Sequence, residues 1–366
     1  MTDEQYMEYA LNLAKKGEGH VAPNPMVGAV IVKNGRIIGE GYHEKYGEAH
    51  AEVNAIQRAT EAVEGATIYV TLEPCAHYGK TPPCAQLLID SKIKRVVIGC
   101  LDPNRLVGGQ GVQMLKEAGL SVTVGVLQNE CEKINEIFMH YITQKQPFVI
   151  MKTAMTLDGK IASVTGDSKW ITGSKAREQV HKLRHRVSGI MVGIETVLVD
   201  NPFLSCRIPG GVHPIRLIVD SKLRVPLDAN VLNNQEQQKT IVATTNLCDK
   251  NKQKALEEKG IEVVCFPHQE GQVNLKTWIC WLGERKIDSI LLEGGSTLNF
   301  SMLKEGLVHR IETYIAPKIL GGNQAPTPVG GEGFKQMIDA IYLREMQVKT
   351  VGEDLWICAK VAGKGD

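Results

Sequence analysis

Short apolar runs alternate with amphipathic segments along most of the chain. Near the start, apolar runs at Val27–Val32 and Arg36–Gly41 flank Asn34 and Gly35, and this pair predicts a β-hairpin. Helix-like and strand-like periods then alternate. The predicted elements are a helix over 3–16, the hairpin, helix 51–63, strand 67–72, helix 83–91, strand 95–100, helix 112–118 and strand 122–126. A hairpin followed by helix–strand units indicates a mixed sheet with helices on its faces.

The second part of the chain repeats this alternation after a polar helical connector over 128–146. Pro147 marks the boundary, and a new apolar strand begins at Phe148. The predicted elements are strands 148–154, 189–194, 215–220, 240–244, 261–266 and 289–293, helices 174–187, 251–259, 274–285 and 295–305, and late strands near 309–316, 340–349 and 355–361. The Gly- and Pro-rich stretch 321–335 predicts a surface loop. The chain is therefore predicted to form two α/β domains, 1–146 with the connector and 147–366.

The composition narrows the class of protein. The chain has 366 residues, a formal net charge of +1 and only 5% aromatic residues, which argues against a nucleic-acid or anionic-membrane partner. Its start is acidic and polar, unlike a signal peptide, and no apolar run approaches the ~20 residues of a membrane helix. The nine cysteines are scattered and odd in number. We therefore expect a cytoplasmic protein.

One stretch carries residues suited to metal chemistry. His50, Cys75 and Cys84 are good zinc ligands, and three protein ligands leave a fourth position open for water. Glu52 is placed to move protons on and off that water. The set matches the zinc nucleobase deaminase signature, except that eight residues rather than two separate the cysteines. The alternatives are a closed structural zinc site, with His77 as a fourth ligand, or no metal.

Several motifs together resemble the family of bifunctional deaminase/reductases of riboflavin biosynthesis. They are Asn24-Pro25-Met26-Val27-Gly28, His50-Ala51-Glu52, Thr71-Leu72-Glu73-Pro74-Cys75 and Gly79-Lys80-Thr81-Pro82-Pro83-Cys84. The resemblance implies a cytidine-deaminase-like three-layer α/β/α domain followed by a dihydrofolate-reductase-like α/β domain. It implies deamination of 2,5-diamino-6-(5-phosphoribosylamino)pyrimidin-4(3H)-one. His50, Cys75 and Cys84 would then bind Zn²⁺, with Glu52 as the proton shuttle and Asn24, His43 and Lys80 as substrate contacts.

A glycine turn in the second half predicts a phosphate site. Glu293-Gly294-Gly295-Ser296-Thr297 ends an apolar strand and opens a helix, where backbone N–H groups can bind phosphate. The alternative is a plain strand–helix turn with Ser296 or Thr297 as the cap.

The resemblance also covers residues 147–361, and it implies an NADPH-dependent reductase that converts the ribosyl group to ribityl. The implied cofactor contacts are Ala154, Trp170, Thr172, Thr196, Asp200, Ser221, Gly295, Ser296 and Thr297. The implied substrate contacts are Ser168, Arg184, Leu204, Arg207 and Glu293. Lys152 and Asp200 are predicted to handle protons.

Two other functions compete with this interpretation. One is a nucleic-acid cytidine or adenosine deaminase with an accessory reductase-like domain, which the charge, the few aromatics and the long cysteine gap disfavour. The other is a scaffold protein without catalytic activity, whose fold a bound zinc ion stabilises. The sequence leaves the oligomeric state open, including a homo-oligomer.

Overall fold

The chain divides into two compact units, Met1–Lys145 and Gln146–Asp366. A computed structural model describes residues 1–76, 82–104 and 107–363. Within these ranges no helix is both long enough and apolar enough to cross a bilayer.

The first unit is built on a mixed sheet. Its strands are β1 (Gly28–Lys33), β2 (Arg36–Tyr42), β3 (Thr67–Leu72), β4 (Arg95–Cys100) and β5 (Ser121–Val124). They lie in the order β2-β1-β3-β4-β5. The predicted hairpin pairs β1 with β2, β1 also pairs antiparallel with β3, and β3, β4 and β5 are parallel. The carboxyl ends of β3 and β4 therefore meet at one edge of the sheet.

Helices cover both faces of this sheet. They are α1 (Asp3–Ala14), α2 (Ala51–Gln57), α3 (Cys84–Asp90), α4 (Gln110–Glu117), α5 (Gln128–Ile134) and α6 (Glu136–Gln144). One apolar cluster joins α2, α3 and α4 to the sheet, and a second joins α1, α5 and α6 to the other face. The predicted three-layer α/β/α architecture is confirmed.

Two predicted helices in this unit differ from the structure. The helix predicted over 51–63 ends at Gln57, because Thr60 binds the Ile38 carbonyl on β2 through both its N–H and its hydroxyl. The predicted connector helix is two helices that meet at Asn135. The amide of that side chain binds both the N–H and the C=O of Met26, which ties this point to a distant loop.

The second unit contains a nine-stranded sheet. Its strands are β6 (Phe148–Thr156), β7 (Gly189–Gly193), β8 (Ile215–Val219), β9 (Thr240–Thr245), β10 (Glu262–Phe266), β13 (Ser289–Leu292), β14 (Arg310–Ala316), β15 (Leu343–Val351) and β16 (Asp354–Val361), while β11 (His268–Gln269) and β12 (Gln272–Val273) form a separate short hairpin. The order is β10-β9-β8-β7-β13-β6-β14-β16-β15. Every neighbouring pair from β10 to β14 is parallel, whereas β16 pairs antiparallel with both β14 and β15.

Five helices pack around this sheet within the described residues. They are α7 (Ser174–Arg186), α8 (Ile194–Asp200), α9 (Lys250–Glu258), α10 (Leu275–Glu284) and α11 (Ser296–Lys304). Successive residues of β7 point to opposite faces, so Met191 joins one apolar cluster while Ile190 and Val192 join another. Helix α8 was not predicted, because it follows β7 directly and continues its apolar pattern.

Candidate active sites

Three nitrogen and sulfur donors converge where β3 ends and where α2 and α3 begin. His50 immediately precedes α2, Cys84 is the first residue of α3, and Cys75 follows β3. The Sγ of Cys84 lies 3.3 Å from His50 Nδ1, and the Sγ of Cys75 lies 3.7 Å from the same nitrogen. The three donor atoms lie within 4.8 Å of one another. The fold thus brings the predicted ligands together.

These separations suit a zinc ion. Zinc–sulfur bonds of about 2.3 Å and zinc–nitrogen bonds of about 2.0 Å in a tetrahedron place neighbouring donors roughly 3.5–3.8 Å apart. The observed 3.3 and 3.7 Å are close to that range. The backbone N–H of Cys84 also donates to Cys75 Sγ over 3.3 Å, which favours the thiolate form that metals bind. The donor set therefore fits zinc.

The two thiols and Glu52 at this site differ in how burial and neighbouring groups shift their pKa values. The hydrogen bond from Cys84 lowers the pKa of Cys75 against the effect of burial, whereas the bond to Cys75 and burial raise the pKa of Cys84. Cys75 is therefore the more acidic thiol. Glu52 is only 3% exposed, and burial raises its pKa to about 7 although His50 opposes the change. Its carboxyl group interacts with the Cys84 thiol, so Glu52 lies beside the predicted metal ligands.

Asn24 and His43 lie beside the same site. His43 Nδ1 lies 3.1 Å from the Ala49 carbonyl, so this nitrogen carries the hydrogen. Its Nε2 then accepts from Asn24 Nδ2 over 3.2 Å. The His43 ring meets the His50 ring edge-on at a centroid distance of 5.7 Å, and burial lowers the pKa of His43.

Two further residues named from the sequence cannot be placed. Lys80, predicted as a substrate contact, and His77, the alternative fourth ligand, lie outside the described residues.

Glu73 is a buried residue whose role sequence reasoning missed. Its carboxylate accepts from the backbone N–H groups of Asp102, Gly109 and Val112 at 3.2, 2.9 and 3.0 Å. The bonds to Gly109 and Val112 cap the start of α4, whose N-cap residue Gly109 has no side chain to do so. A Cβ on Gly111 would lie 2.1 Å from the Pro74 carbonyl oxygen. The segment that carries Cys75 is therefore held tightly against α4.

Cys84→Ser is expected to remove zinc from the first unit. Serine is a poor zinc ligand at neutral pH, so the zinc dissociation constant should rise by more than about 100-fold, beyond the typical loss from changing an outer partner. Metal content after dialysis measures this change directly. Cys100→Ser is the matched control, because Cys100 is also buried but its thiol donates to the Thr71 carbonyl. Equal zinc content in the two variants would contradict the ligand assignment.

The second unit holds a buried cluster of opposite charges. Arg184 donates to both oxygens of Glu293 at 2.8 and 3.1 Å, and Lys152 Nζ lies 3.5 Å from the same carboxylate. The Arg184 and Glu293 side chains are only 12% and 11% exposed. Burial alone would raise the pKa of Glu293, but the charges of Arg184 and Lys152 lower it to about 2. Three residues predicted from the sequence thus form one cluster, at the carboxyl end of β13 and beside the middle of β6.

More of the predicted residues lie at the end of α8 and in the loop that follows it. Asp200 is the last residue of α8, and its Oδ1 accepts from Ser168 Oγ over 3.3 Å. Leu204 has a left-handed backbone with φ of 54°. Its carbonyl accepts from buried Gln238, and the preceding carbonyl accepts from buried Arg216. Sequence reasoning missed Gln238 and Arg216, which shape this loop.

A cavity of about 840 Å³ opens beyond the carboxyl ends of β7, β8 and β13. The predicted residues that line it are Thr196, Ser221, Gly295, Ser296 and Thr297. The Ser296 hydroxyl donates to the Thr327 carbonyl, so the predicted surface loop 321–335 packs against the start of α11. Parallel sheets bind ligands at this edge.

The other four predicted cofactor residues do not line this cavity. They are Ala154, Trp170, Thr172 and Asp200. Trp170 is 60% exposed. The Arg177 guanidinium lies over its ring, with Arg177 Cζ 4.6 Å from the centre of the Trp170 ring. Thr172 is buried, and its carbonyl accepts from the same arginine.

Comparison with known proteins identifies both halves of the chain. Residues 1–100 match the cytidine and deoxycytidylate deaminase zinc-binding region, and residues 147–357 match the RibD C-terminal domain. The chain is 50% identical over 355 residues to the riboflavin biosynthesis protein RibD of Actinobacillus pleuropneumoniae, covering 97% of this chain and 94% of that protein. The chain belongs to the RibD family of riboflavin biosynthesis proteins. It is accordingly a bifunctional enzyme, a zinc-dependent deaminase and an NADPH-dependent reductase that acts on phosphoribosyl pyrimidines.

Solved RibD structures share the fold. Acinetobacter baumannii RibD has a TM-score of 0.89 at 38% identity and covers 99% of both chains. A diaminohydroxyphosphoribosylaminopyrimidine deaminase/5-amino-6-(5-phosphoribosylamino)uracil reductase from Thermotoga maritima has a TM-score of 0.86 at 39% identity, over 98% of this chain and 99% of that one. The predicted fold and bifunctional activity are confirmed.

Proposed function

We propose that residues 1–146 deaminate 2,5-diamino-6-(5-phosphoribosylamino)pyrimidin-4(3H)-one and that residues 147–366 then reduce the product. The observation that carries the first half is the convergence of His50, Cys75 and Cys84 beside buried Glu52. Zinc held by these three residues would supply Lewis-acid activation of the attacking water.

Glu52 is the residue that we assign to proton transfer in the deamination. Water adds to the ring carbon that bears the exocyclic amine, and Glu52 takes one of its protons. The proton passes to the ring nitrogen, and a second transfer lets the amine leave as ammonia while the carbonyl forms. Asn24 and His43 are placed to hold the pyrimidine, because they lie together beside His50. Lys80 is proposed as a further contact on the family resemblance alone.

The second unit is proposed to bind the phosphoribosyl group at its buried charge cluster. Arg184 and Arg207 are suited to bind the 5-phosphate, since planar guanidinium groups pair with phosphate through two hydrogen bonds. Glu293 orients Arg184 and Lys152. Ser168 and Leu204 are proposed to contact the rest of the substrate.

NADPH is proposed to lie in the 840 Å³ cavity, with its pyrophosphate at the start of α11. Bound there, it would supply the hydride that adds to the sugar carbon next to the amine. The bond between the sugar carbon and the ring oxygen breaks, and that oxygen takes a proton to become a hydroxyl group. Lys152 and Asp200 are assigned to this proton handling. Ala154, Trp170 and Thr172 are proposed to reach the cofactor from outside the cavity.

The partners are proposed to be small molecules rather than nucleic acid or membrane, because the formal net charge is only +1. A cytoplasmic location is proposed because all nine cysteines are free, as in reducing compartments.

A coupled assay with the full-length chain tests this division of labour. The diaminopyrimidine substrate should release ammonia, and NADPH should be consumed only after that step. A zinc chelator should stop ammonia release yet leave reduction of supplied deaminated substrate intact, and NADH in place of NADPH should support slower reduction. Reduction that also stops on chelation would contradict separate sites.

A further inference from the structure

Helix α7 presents a second polar side chain on the face that carries Arg184. His181 precedes Arg184 by three residues, so the two side chains lie on the same side of the helix. Arg184 reaches from this face to Glu293 and also donates to the Ser205 carbonyl over 3.0 Å. His181 is therefore beside the charge cluster, although no motif in the sequence marks it.

The loop that carries Arg207 packs against the same turn of α7. Cys206 Sγ donates to the His181 carbonyl over 3.4 Å. The neighbouring Arg207 is exposed and forms no ion pair within the described part of the chain. His181 and Arg207 thus lie at the meeting point of helix and loop.

The His181 imidazole has unused hydrogen-bonding capacity. The side chain is half-buried, and its Nδ1 is shielded from solvent without a partner among the described residues. An unpaired buried polar atom destabilises the folded chain, and a ligand that supplies a hydrogen-bond partner removes this loss.

The surroundings of His181 are suited to a doubly charged anion. Lys152, Arg184 and Arg207 carry three positive charges, and Glu293 carries one negative charge, so the formal total is +2. Burial and the charges of Arg184 and Arg207 lower the pKa of His181 to about 4, so the free imidazole is neutral at pH 7. A phosphate dianion would oppose those charges and favour the protonated ring.

We propose that His181 is a third contact for the phosphate of the phosphoribosyl substrate and completes the site formed by Arg184 and Arg207. This inference rests on the reductase role of the second unit. The imidazole donates an N–H bond to a phosphate oxygen and takes up a proton as the substrate binds.

Calorimetry of the full-length chain with ribose 5-phosphate tests the proposal. Titrations near pH 6 in two buffers of different ionisation enthalpy give the protons taken up on binding. Because the phosphate itself titrates at about pH 6, wild type is compared with His181→Asn. Wild type should take up more protons, by up to about one per site.

The KM for the deaminated substrate should rise about tenfold in His181→Asn with the KM for NADPH unchanged, a loss expected for one charge-assisted hydrogen bond.

Two more variants separate contact from folding. His181→Gln, like His181→Asn, has an amide N–H donor and cannot gain a proton. Its side chain is one methylene longer and reaches about as far as imidazole Nε2, so it should recover part of the KM while proton uptake stays low. His268→Asn is the control, because His268 is exposed on β11 and its Nδ1 accepts from the Gly271 N–H of its own turn. Proton uptake and KM in His181→Asn that equal wild type would overturn the inference but leave the reductase role standing. Wild type that neither binds ribose 5-phosphate nor reduces the deaminated substrate would overturn both.

Discussion

Replacing Glu52 with glutamine is expected to slow ammonia release by about 10²–10⁴-fold, the usual contribution of a positioned general acid–base group. Glutamine has nearly the same shape but cannot accept a proton from the attacking water. Zinc content should be unchanged, because Glu52 lies beside the three donor atoms and is not one of them. Reduction of supplied deaminated substrate should keep its wild-type rate, because that reaction belongs to the second unit.

The control for this experiment is Glu64→Gln in the same unit. Glu64 is exposed and, among the described residues, pairs with exposed Lys92 at 3.3 Å, so this variant should deaminate at the wild-type rate. Ammonia release is followed directly, and zinc is measured on the same samples. If Glu52→Gln deaminates normally, the proton shuttle lies elsewhere; if it loses zinc, Glu52 supports the metal rather than the chemistry.

Glu293→Gln is expected to destabilise the second unit and to abolish reduction. It leaves Lys152 and Arg184 buried without their counter-charge, and breaking a buried pair in this way typically costs about 3–5 kcal/mol of unfolding free energy. All four tryptophans, Trp170, Trp278, Trp281 and Trp356, lie in this unit. Their fluorescence during urea unfolding therefore reports on the second unit alone. Ammonia release should be unaffected.

Acid should produce a related loss in the wild type. The pKa of Glu293 is about 2 in the folded chain and 4.5 ordinarily. Its stabilising contribution is therefore complete above about pH 4.5 and disappears as the pH falls from there toward 2. The difference corresponds to roughly 3 kcal/mol.

The matched comparison is Glu312→Gln, which removes another buried carboxylate paired with an arginine, Arg310, in the same unit. This variant should also lose stability but should keep more of its reductase activity, because Glu312 lies outside the Lys152–Arg184–Glu293 cluster. A Glu293→Gln chain with wild-type stability and wild-type pH dependence would show that the cluster is not the buried ion pair described above.

The metal site was predictable because its geometry is local. His50, Cys75 and Cys84 each lie at the end of a strand or the start of a helix, and the apolar pattern fixed those boundaries. Strand Thr67–Leu72 was predicted with its observed limits.

The supporting residues were not predictable from local pattern. Glu73 binds backbone N–H groups up to 39 residues away, and Asn135 binds Met26 across 109 residues. Arg216 is 2% exposed and donates to the carbonyls of four residues, Phe203, Val231, Asn233 and Gln238. Backbone groups have no sequence signature, so these partners could be found only from the folded chain.

Helix ends were misjudged for the same reason. Residues 58–63 suit a helix on composition alone, but the N–H and hydroxyl of Thr60 donate to the Ile38 carbonyl on β2, and the helix ends before this residue. Tertiary contacts of this kind override local preference.

The anchoring of α4 by Glu73 bears on how the substrate range of this enzyme can change. Glu73 accepts from the main-chain N–H groups of Asp102 and Gly109, between β4 and α4, and of Val112 in the first turn of α4. A main-chain N–H is present in every residue except proline, so the side chains of Asp102 and Val112 can be exchanged without losing the anchor beside Cys75. Gly109, with φ of 84°, and Gly111, whose Cβ would lie 2.1 Å from the Pro74 carbonyl oxygen, must be kept. The exchangeable positions are a natural place for laboratory evolution of new pyrimidine substrates.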